Sequence, residues 1–110
     1  MVLLPLAYLK SGQDLNIVVV DWGKLALPEV PVIAPIFYPL VVVNVWNTWV
    51  RLGEFVSWLV DQSAITDLKS VHIVGFSLGS HVSGKAAIDV KARYNQTVGR
   101  VTGNYLQVQV

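Results

Sequence analysis

Val71-His-Ile-Val-Gly-Phe-Ser-Leu-Gly-Ser-His-Val-Ser-Gly84 is the stretch that decides the fold. It opens with a short apolar run rich in β-branched residues, which is typical of a strand buried in a parallel sheet. A helical stretch follows from Leu78 to about Arg93. Between the two lies Gly75-Phe-Ser-Leu-Gly79, a G-x-S-x-G pentapeptide. This pentapeptide is typical of a sharp turn that carries an exposed serine from a strand into a helix.

The chemistry of such a turn is that of a serine nucleophile. Ser77 would stand at the carboxyl end of the strand, where open parallel sheets bind their ligands. The backbone N–H of Leu78 would point at the oxyanion that forms when the hydroxyl attacks an ester carbonyl. We predict that Gly75 and Gly79 are required because the turn leaves no room for a Cβ at either flank. The alternative is a buried turn whose serine only caps a helix.

Two further strands are predicted on either side of this turn. Asn16-Ile-Val-Val-Val-Asp21 is a continuous apolar run, as expected of a strand buried on both faces. Val98-Gly-Arg-Val-Thr102 is a strand candidate after the helix, and the alternating tail Tyr105–Val110 fits an edge strand. Strands that alternate with helices form parallel sheets through right-handed crossovers. The fold class predicted is therefore α/β, with a parallel sheet of three to four strands and flanking helices.

A long amphipathic helix is predicted between the first two strands. Leu27–Pro39 contains four prolines and is predicted to be a loop. From about Val41 the apolar residues recur at spacings of three and four, which indicates one helical stripe. The stripe consists of Val41, Val45, Trp49, Leu52, Val56 and Leu59. Trp46, Trp49 and Trp58 are expected to be core or near-core anchors, whereas exposed tryptophans would instead indicate contact with lipid.

A membrane-spanning helix is the other interpretation of this region. Val30–Val50 carries no charge and is about as long as a bilayer is thick. It also contains Pro31, Pro35 and Pro39, each of which removes a backbone donor and interrupts a helix. We therefore predict no transmembrane segment. The apolar start, Met1–Lys10, lacks the basic leading region and cleavage site of a signal peptide.

Composition excludes several classes of function. The 110 residues include 8 Lys+Arg and 7 Asp+Glu, a net charge of +1 that does not suit a nucleic-acid binder. There is no cysteine, which excludes disulfides and thiolate sites. The two histidines and seven acids show no metal-ligand spacing, so neither a metal nor a cofactor is expected. The chain is 54% hydrophobic and 14% charged, which indicates part of a larger core or a surface that meets lipid.

Three separated blocks of this sequence together resemble one family. Asp14–Gly23, Val71–Gly84 and Val98–Gly103 look like the corresponding blocks of the animal pancreatic-type lipases, in the same order. The resemblance covers about residues 8–103 of a domain that would span 1–110, with 104–110 as a divergent tail. It implies part of an α/β-hydrolase core from a secreted, extracellular ester hydrolase of the triacylglycerol lipase or phospholipase A1 type. Such an enzyme cleaves fatty-acyl esters of glycerolipids at a lipid–water interface, with Ser77 as the nucleophile of a Ser-Asp-His triad.

The other two members of the triad do not fit the family pattern. In these hydrolases the acid follows the serine and the histidine follows the acid, whereas here His81 precedes Asp89 and both lie on the predicted helix. Tyr105 stands where the resemblance places the aspartate. We therefore expect a truncated chain that lacks the triad Asp and His and is inactive alone, with His81 as a structural histidine rather than the base. The alternative is a non-catalytic lipase-like module that binds lipid or a protein partner.

One modification motif lies outside these blocks. Asn95-Gln-Thr97 is an acceptor sequence for N-glycosylation, in a polar connection just before the third predicted strand. A glycan is attached to such a sequence only in the secretory pathway. Asn95 is thus a glycosylation candidate.

Overall fold

A computed structural model describes residues 3–21, 38–76 and 78–104 of the chain. These residues form three α-helices, one short 3₁₀ turn and two strands. In chain order the elements are α1 (Leu3–Lys10), α2 (Tyr38–Asp61), the 3₁₀ turn (Leu68–Ser70), β1 (His72–Phe76), α3 (Leu78–Tyr94) and β2 (Arg100–Asn104).

The centre of the fold is a parallel β-α-β unit. Strands β1 and β2 pair in parallel, in a register that runs from His72 opposite Arg100 to Phe76 opposite Asn104. Helix α3 makes the connection, as parallel strands require a crossover from one end of the sheet to the other. The strand before the pentapeptide, the helix after it and the strand near Val98 are thereby confirmed, although β2 begins two residues later than predicted.

The first predicted strand is wrong. Asn16–Asp21 lies within the described residues but forms neither strand nor helix. Instead of being buried on both faces, Val18 is 61% exposed and Val19 is 60% exposed. A β-branched run becomes a strand only where another strand accepts its backbone hydrogen bonds, and none of the described strands pairs with it. The described sheet therefore has two strands rather than three to four, and the tail 105–110 lies outside the described residues.

Helix α2 begins earlier than expected. It starts at Tyr38, so Pro39 lies in the first turn, where a missing backbone N–H costs nothing. The rest of the predicted loop, up to residue 37, lies outside the described residues. Among the described residues no helix is both long enough and apolar enough to span a bilayer.

Helix α2 packs against α3 through small residues as well as apolar ones. Val56 of the predicted stripe is buried, and Trp49 and Leu52 are partly buried. Gly53 lies so close to α3 that an added Cβ would be 3.3 Å from the Cβ of Asp89. Ser57 is also buried, and its hydroxyl donates to the Gly53 carbonyl at 2.8 Å. The contact face is therefore wider than the apolar stripe, because short side chains let the two helices approach closely.

Two of the three tryptophans on α2 lie outside the core, contrary to expectation. Trp46 is 54% exposed and Trp58 is 56% exposed. Trp58 stacks on Phe55 with a ring-centre separation of 6.2 Å, and both rings lie at the surface. Only Trp49 is close to the core, where it packs against Val82 of α3. The helical spacing of apolar residues predicts that these tryptophans lie on α2, but it does not determine which of them face α3.

The main core lies between α2 and the β-α-β unit. It is a cluster of five buried side chains from α2, the 3₁₀ turn, β1, α3 and the segment before β2: Val56, Leu68, Ile73, Val90 and Val98. The 3₁₀ turn is capped by Asp67, whose carboxylate accepts the Lys69 N–H at 2.9 Å. The Leu68 carbonyl then accepts the Gly99 N–H at 3.0 Å. These hydrogen bonds hold the segments that lead into β1 and β2 beside each other, and thereby set the register of the two strands.

Candidate active site

The pentapeptide turn joins β1 directly to α3. Phe76 is the last residue of β1 and Leu78 is the first residue of α3, so one residue separates strand from helix. That residue, Ser77, lies outside the described residues. Its two neighbours are at the surface, with Phe76 60% exposed and Leu78 39% exposed. The turn lies at the carboxyl end of the parallel pair, the end at which such sheets bind ligands.

Gly75 is required by a close contact between strand and helix. A Cβ at this position would overlap the carbonyl group of Gly79 and the hydroxyl of Ser83. The carbonyl is backbone and is held in the first turn of α3, so it cannot move aside as a flexible side chain would. The close approach therefore gives a steric reason for glycine at position 75.

Gly79 does not show the same constraint toward the described residues. A Cβ added to Gly79 would meet no atom within 4 Å among the residues that the structure describes. The Gly79 carbonyl, rather than its Cα hydrogens, faces Gly75. The same carbonyl accepts the Ser83 hydroxyl at 2.8 Å. Among the described residues, an added Cβ would therefore clash at Gly75, on the strand side of the turn, but not at Gly79, on its helix side.

Ser80 links α3 to the carboxyl ends of β1 and β2. This role was not predicted from the sequence. Ser80 is buried, and its hydroxyl donates to the Gly75 carbonyl at 3.3 Å. Gly103 of β2 lies beside it, where an added Cβ would be 2.9 Å from the Cβ of Ser80. A small residue three positions after the serine of the motif was the available signal. Ser80 and Gly103 together hold the first turn of α3 against the end of the sheet.

The first turn of α3 can stabilise negative charge next to position 77. N–H groups in the first turn of a helix have no partner within the helix. They also carry the positive end of the helix dipole. Leu78 provides the first of these groups because α3 begins there. A developing oxyanion beside residue 77 would lie where such donors stabilise it.

The structure does not bring His81 and Asp89 together as a catalytic pair. Eight residues of helix separate them, or about 12 Å along its axis. His81 is exposed and so is not packed in the core, although it is not without an interaction partner. Asp89 instead lies beside Gly53 at the contact with α2. His81 and Asp89 therefore do not form a histidine–carboxylate pair next to the turn on α3.

His72 is too far from the turn to serve it. It is the first residue of β1, and four residues of strand, about 13 Å, separate it from Phe76. Its Nε2 is 2.8 Å from the Thr102 hydroxyl on β2. Partial burial, followed by the positive charge of Arg100, lowers the pKa of the His72 imidazole. This histidine links the two strands at the end of the sheet opposite the turn.

A parallel β-α-β unit with a one-residue turn from strand to helix is an arrangement on which α/β-hydrolases place a nucleophile. The family model described as Lipase matches residues 5–105 of the chain. The chain therefore belongs to the lipase family, and its fold class is that of the α/β-hydrolases.

The curated relatives are full-length lipases that the chain matches over one segment. Lipase member H of Xenopus tropicalis is 34% identical over 91 residues, 83% of this chain and 17% of that protein. Hepatic triacylglycerol lipase of Mus musculus is 31% identical over 94 residues, 86% of this chain and 16% of the relative. Lipoprotein lipase of Rattus norvegicus is 34% identical over 97 residues, which are 88% of this chain and 18% of that protein. The chain thus spans less than a fifth of each relative. No solved structure matches it.

Proposed function

We propose that this chain carries the nucleophile segment of a secreted lipase that hydrolyses carboxylic esters of fatty acids, with Ser77 as the nucleophile. The observation that carries the proposal is the contact of Gly75 with the Gly79 carbonyl. This contact packs the end of β1 against the first turn of α3, and β1 ends at Phe76 while α3 begins at Leu78. Membership of the lipase family supports the same assignment.

In this mechanism the Ser77 hydroxyl oxygen attacks the ester carbonyl carbon and gives its proton to a histidine base. The carbonyl oxygen becomes an oxyanion, which the Leu78 N–H stabilises. The alcohol then leaves with that proton, and water hydrolyses the acyl-serine. Because His81 and Asp89 are separated on α3, we propose that the base and its carboxylate come from other parts of the lipase.

The proposed substrates are fatty-acyl esters of glycerolipids at a lipid–water interface outside the cell. The names of two relatives, hepatic triacylglycerol lipase and lipoprotein lipase, support a lipid ester as the substrate class. The exposed side chains of Phe76 and Leu78 support it as well, because they present apolar surface on both sides of position 77. An acyl chain would bind to such a surface by the hydrophobic effect.

A fluorophosphonate probe tests this proposal on the longest natural form of the protein that contains these residues. The probe phosphonylates only an activated serine, so the expected result is a label on the peptide that contains Ser77. Ser77→Ala should abolish the label and reduce kcat for a fatty-acyl ester by a factor on the order of 10⁶. Ser70→Ala, at an exposed serine remote from the turn, is the matched control and should leave both unchanged.

Two results would contradict the proposal. One is ester hydrolysis that persists after Ser77→Ala. The other is an unlabelled and inactive protein that still binds lipid vesicles or captures a partner. The second result would establish the non-catalytic module.

A further inference from the structure

The sequence Asn95-Gln-Thr97 lies at the surface immediately after α3. All three side chains are exposed. Asn95 has a φ of 52°, and its N–H donates to the Lys91 carbonyl at 2.8 Å. Asparagine is one of the few residues that adopt this left-handed conformation at the end of a helix. The Asn95 side chain is therefore exposed to solvent at the turn that ends α3.

This turn after α3 lies at the opposite end of the β-α-β unit from the candidate active site. Helix α3 has 17 residues, so its two ends are about 25 Å apart. The nucleophile turn precedes its first residue, and Asn95 follows its last. A bulky group on Asn95 would therefore project away from the end of the sheet at which an ester would bind.

We propose that Asn95 carries an N-linked oligosaccharide. The proposal rests on the secretory localisation proposed above. The side-chain amide nitrogen of Asn95 bonds to the anomeric carbon of an oligosaccharide supplied by a lipid-linked diphosphate donor. The bond from that carbon to the diphosphate oxygen breaks, the amide nitrogen loses one proton, and the lipid diphosphate leaves without any oxidation or reduction.

Residue 97 distinguishes this role from a purely structural one. A left-handed helix end accounts for asparagine at position 95 but makes no demand on residue 97. Thr97 provides the hydroxyl that the acceptor sequence needs. In the folded protein that hydroxyl accepts a hydrogen bond from the Lys69 ammonium at 2.6 Å, a contact between two exposed side chains. No other asparagine of the chain is followed at the second position by serine or threonine.

Expression of the full 110-residue chain behind a cleavable signal peptide in animal cells tests the proposal. A peptide N-glycosidase should increase the electrophoretic mobility of the secretory-pathway product by one glycan. The enzyme converts a glycosylated asparagine to aspartate, so the tryptic peptide 94–100 should then contain aspartate at position 95. Thr97→Ser should keep the glycan, because serine also completes the acceptor sequence, and Thr97→Val should lose it.

Two variants separate the modification from folding and from entry into the pathway. Asn95→Gly removes the acceptor but is compatible with the positive φ, so it should lose the glycan and keep the fold. Gln62→Asn combined with Ala64→Thr creates a second acceptor in an exposed turn and should give two glycans. One glycan on this double variant and none on the parent chain would overturn the proposal. Because the readout is a glycan, it is independent of fluorophosphonate labelling at Ser77.

Discussion

Two runs of β-branched residues in this chain have similar composition and different environments. Ile17-Val-Val-Val20 is irregular in structure, and its three valines are exposed. Val71-His-Ile-Val74 enters β1, where Ile73 is buried in the core and the backbone pairs with β2. What differs is the surroundings, since the second run follows a capped turn and precedes a helix that leads to its partner strand β2. An apolar run thus becomes a strand through its partners, and the four predictions that follow test how the second run is held in place.

The largest effect is expected at the close contact that ends β1. Gly75→Ala would press a methyl group into the Gly79 carbonyl, and we expect it to lower the free energy of unfolding by about 3 kcal/mol. Gly79→Ala is the matched control, because its Cβ meets nothing within 4 Å among the described residues. It should leave stability unchanged or raise it by up to about 1 kcal/mol. Urea denaturation monitored by tryptophan fluorescence gives both values, and equal losses would contradict the one-sided contact.

The second prediction compares the two runs directly. Ile73→Ala removes a side chain that is only 8% exposed and packs in the main core, so it should cost about 2–4 kcal/mol. Val19→Ala truncates a side chain that is 60% exposed, so it should change stability by less than about 0.5 kcal/mol. The same denaturation experiment measures both. A large loss from Val19→Ala would show that the first run is buried in the folded protein, and would remove the contrast between the two runs.

The third prediction concerns the turn that leads into β1. Asp67→Ala removes the carboxylate that accepts the Lys69 N–H, and should destabilise the chain by about 1 kcal/mol. Asp67→Asn keeps an acceptor oxygen at the same place, so it should recover most of that loss. The readout is the midpoint of thermal unfolding. Equal losses in the two variants would show that the negative charge, and not the cap, is what matters.

The smallest effect is a pH dependence at the start of β1. Burial and the neighbouring Arg100 lower the pKa of His72 in the folded protein, so the unfolded chain binds the proton more readily. Stability should therefore be complete above about pH 6.5, the ordinary pKa of histidine, and decline as the pH falls through the lowered pKa. His72→Gln should flatten this part of the stability–pH curve. A curve that keeps its slope in this variant would assign the dependence to another group.

Structural features with local signals could be predicted from the sequence, whereas features that depend on distant residues could not. The strand before the pentapeptide and the helix after it follow from residues within a few positions of each other. The strand at Asn16–Asp21 was wrong because composition does not reveal whether a partner strand is present. The space beside Gly79 could not be predicted either, because the direction in which its missing Cβ would point depends on how α3 lies on the sheet.

The exposed face of α2 and the contacts of Ser80 next to the turn also depend on residues that are distant in the sequence. Trp46 and Trp58 were expected near the core, but α2 turns its small residues Gly53 and Ser57 toward α3 instead. Ser80 was not recognised because its role is a hydrogen bond to the Gly75 carbonyl and a contact with Gly103. Both contacts exist only after strands from different parts of the chain have come together.

By itself, the sequence determined the β-α-β unit, the position of its turn and the family to which the chain belongs. Short-range steric preferences and a few adjacent residue types are sufficient for these features. The tertiary structure alone decided which β-branched run pairs, which glycine of the turn lies in close contact and which face of α2 is buried. Those outcomes depend on two surfaces meeting across the fold, and the free energy of that contact is not a property of either segment alone.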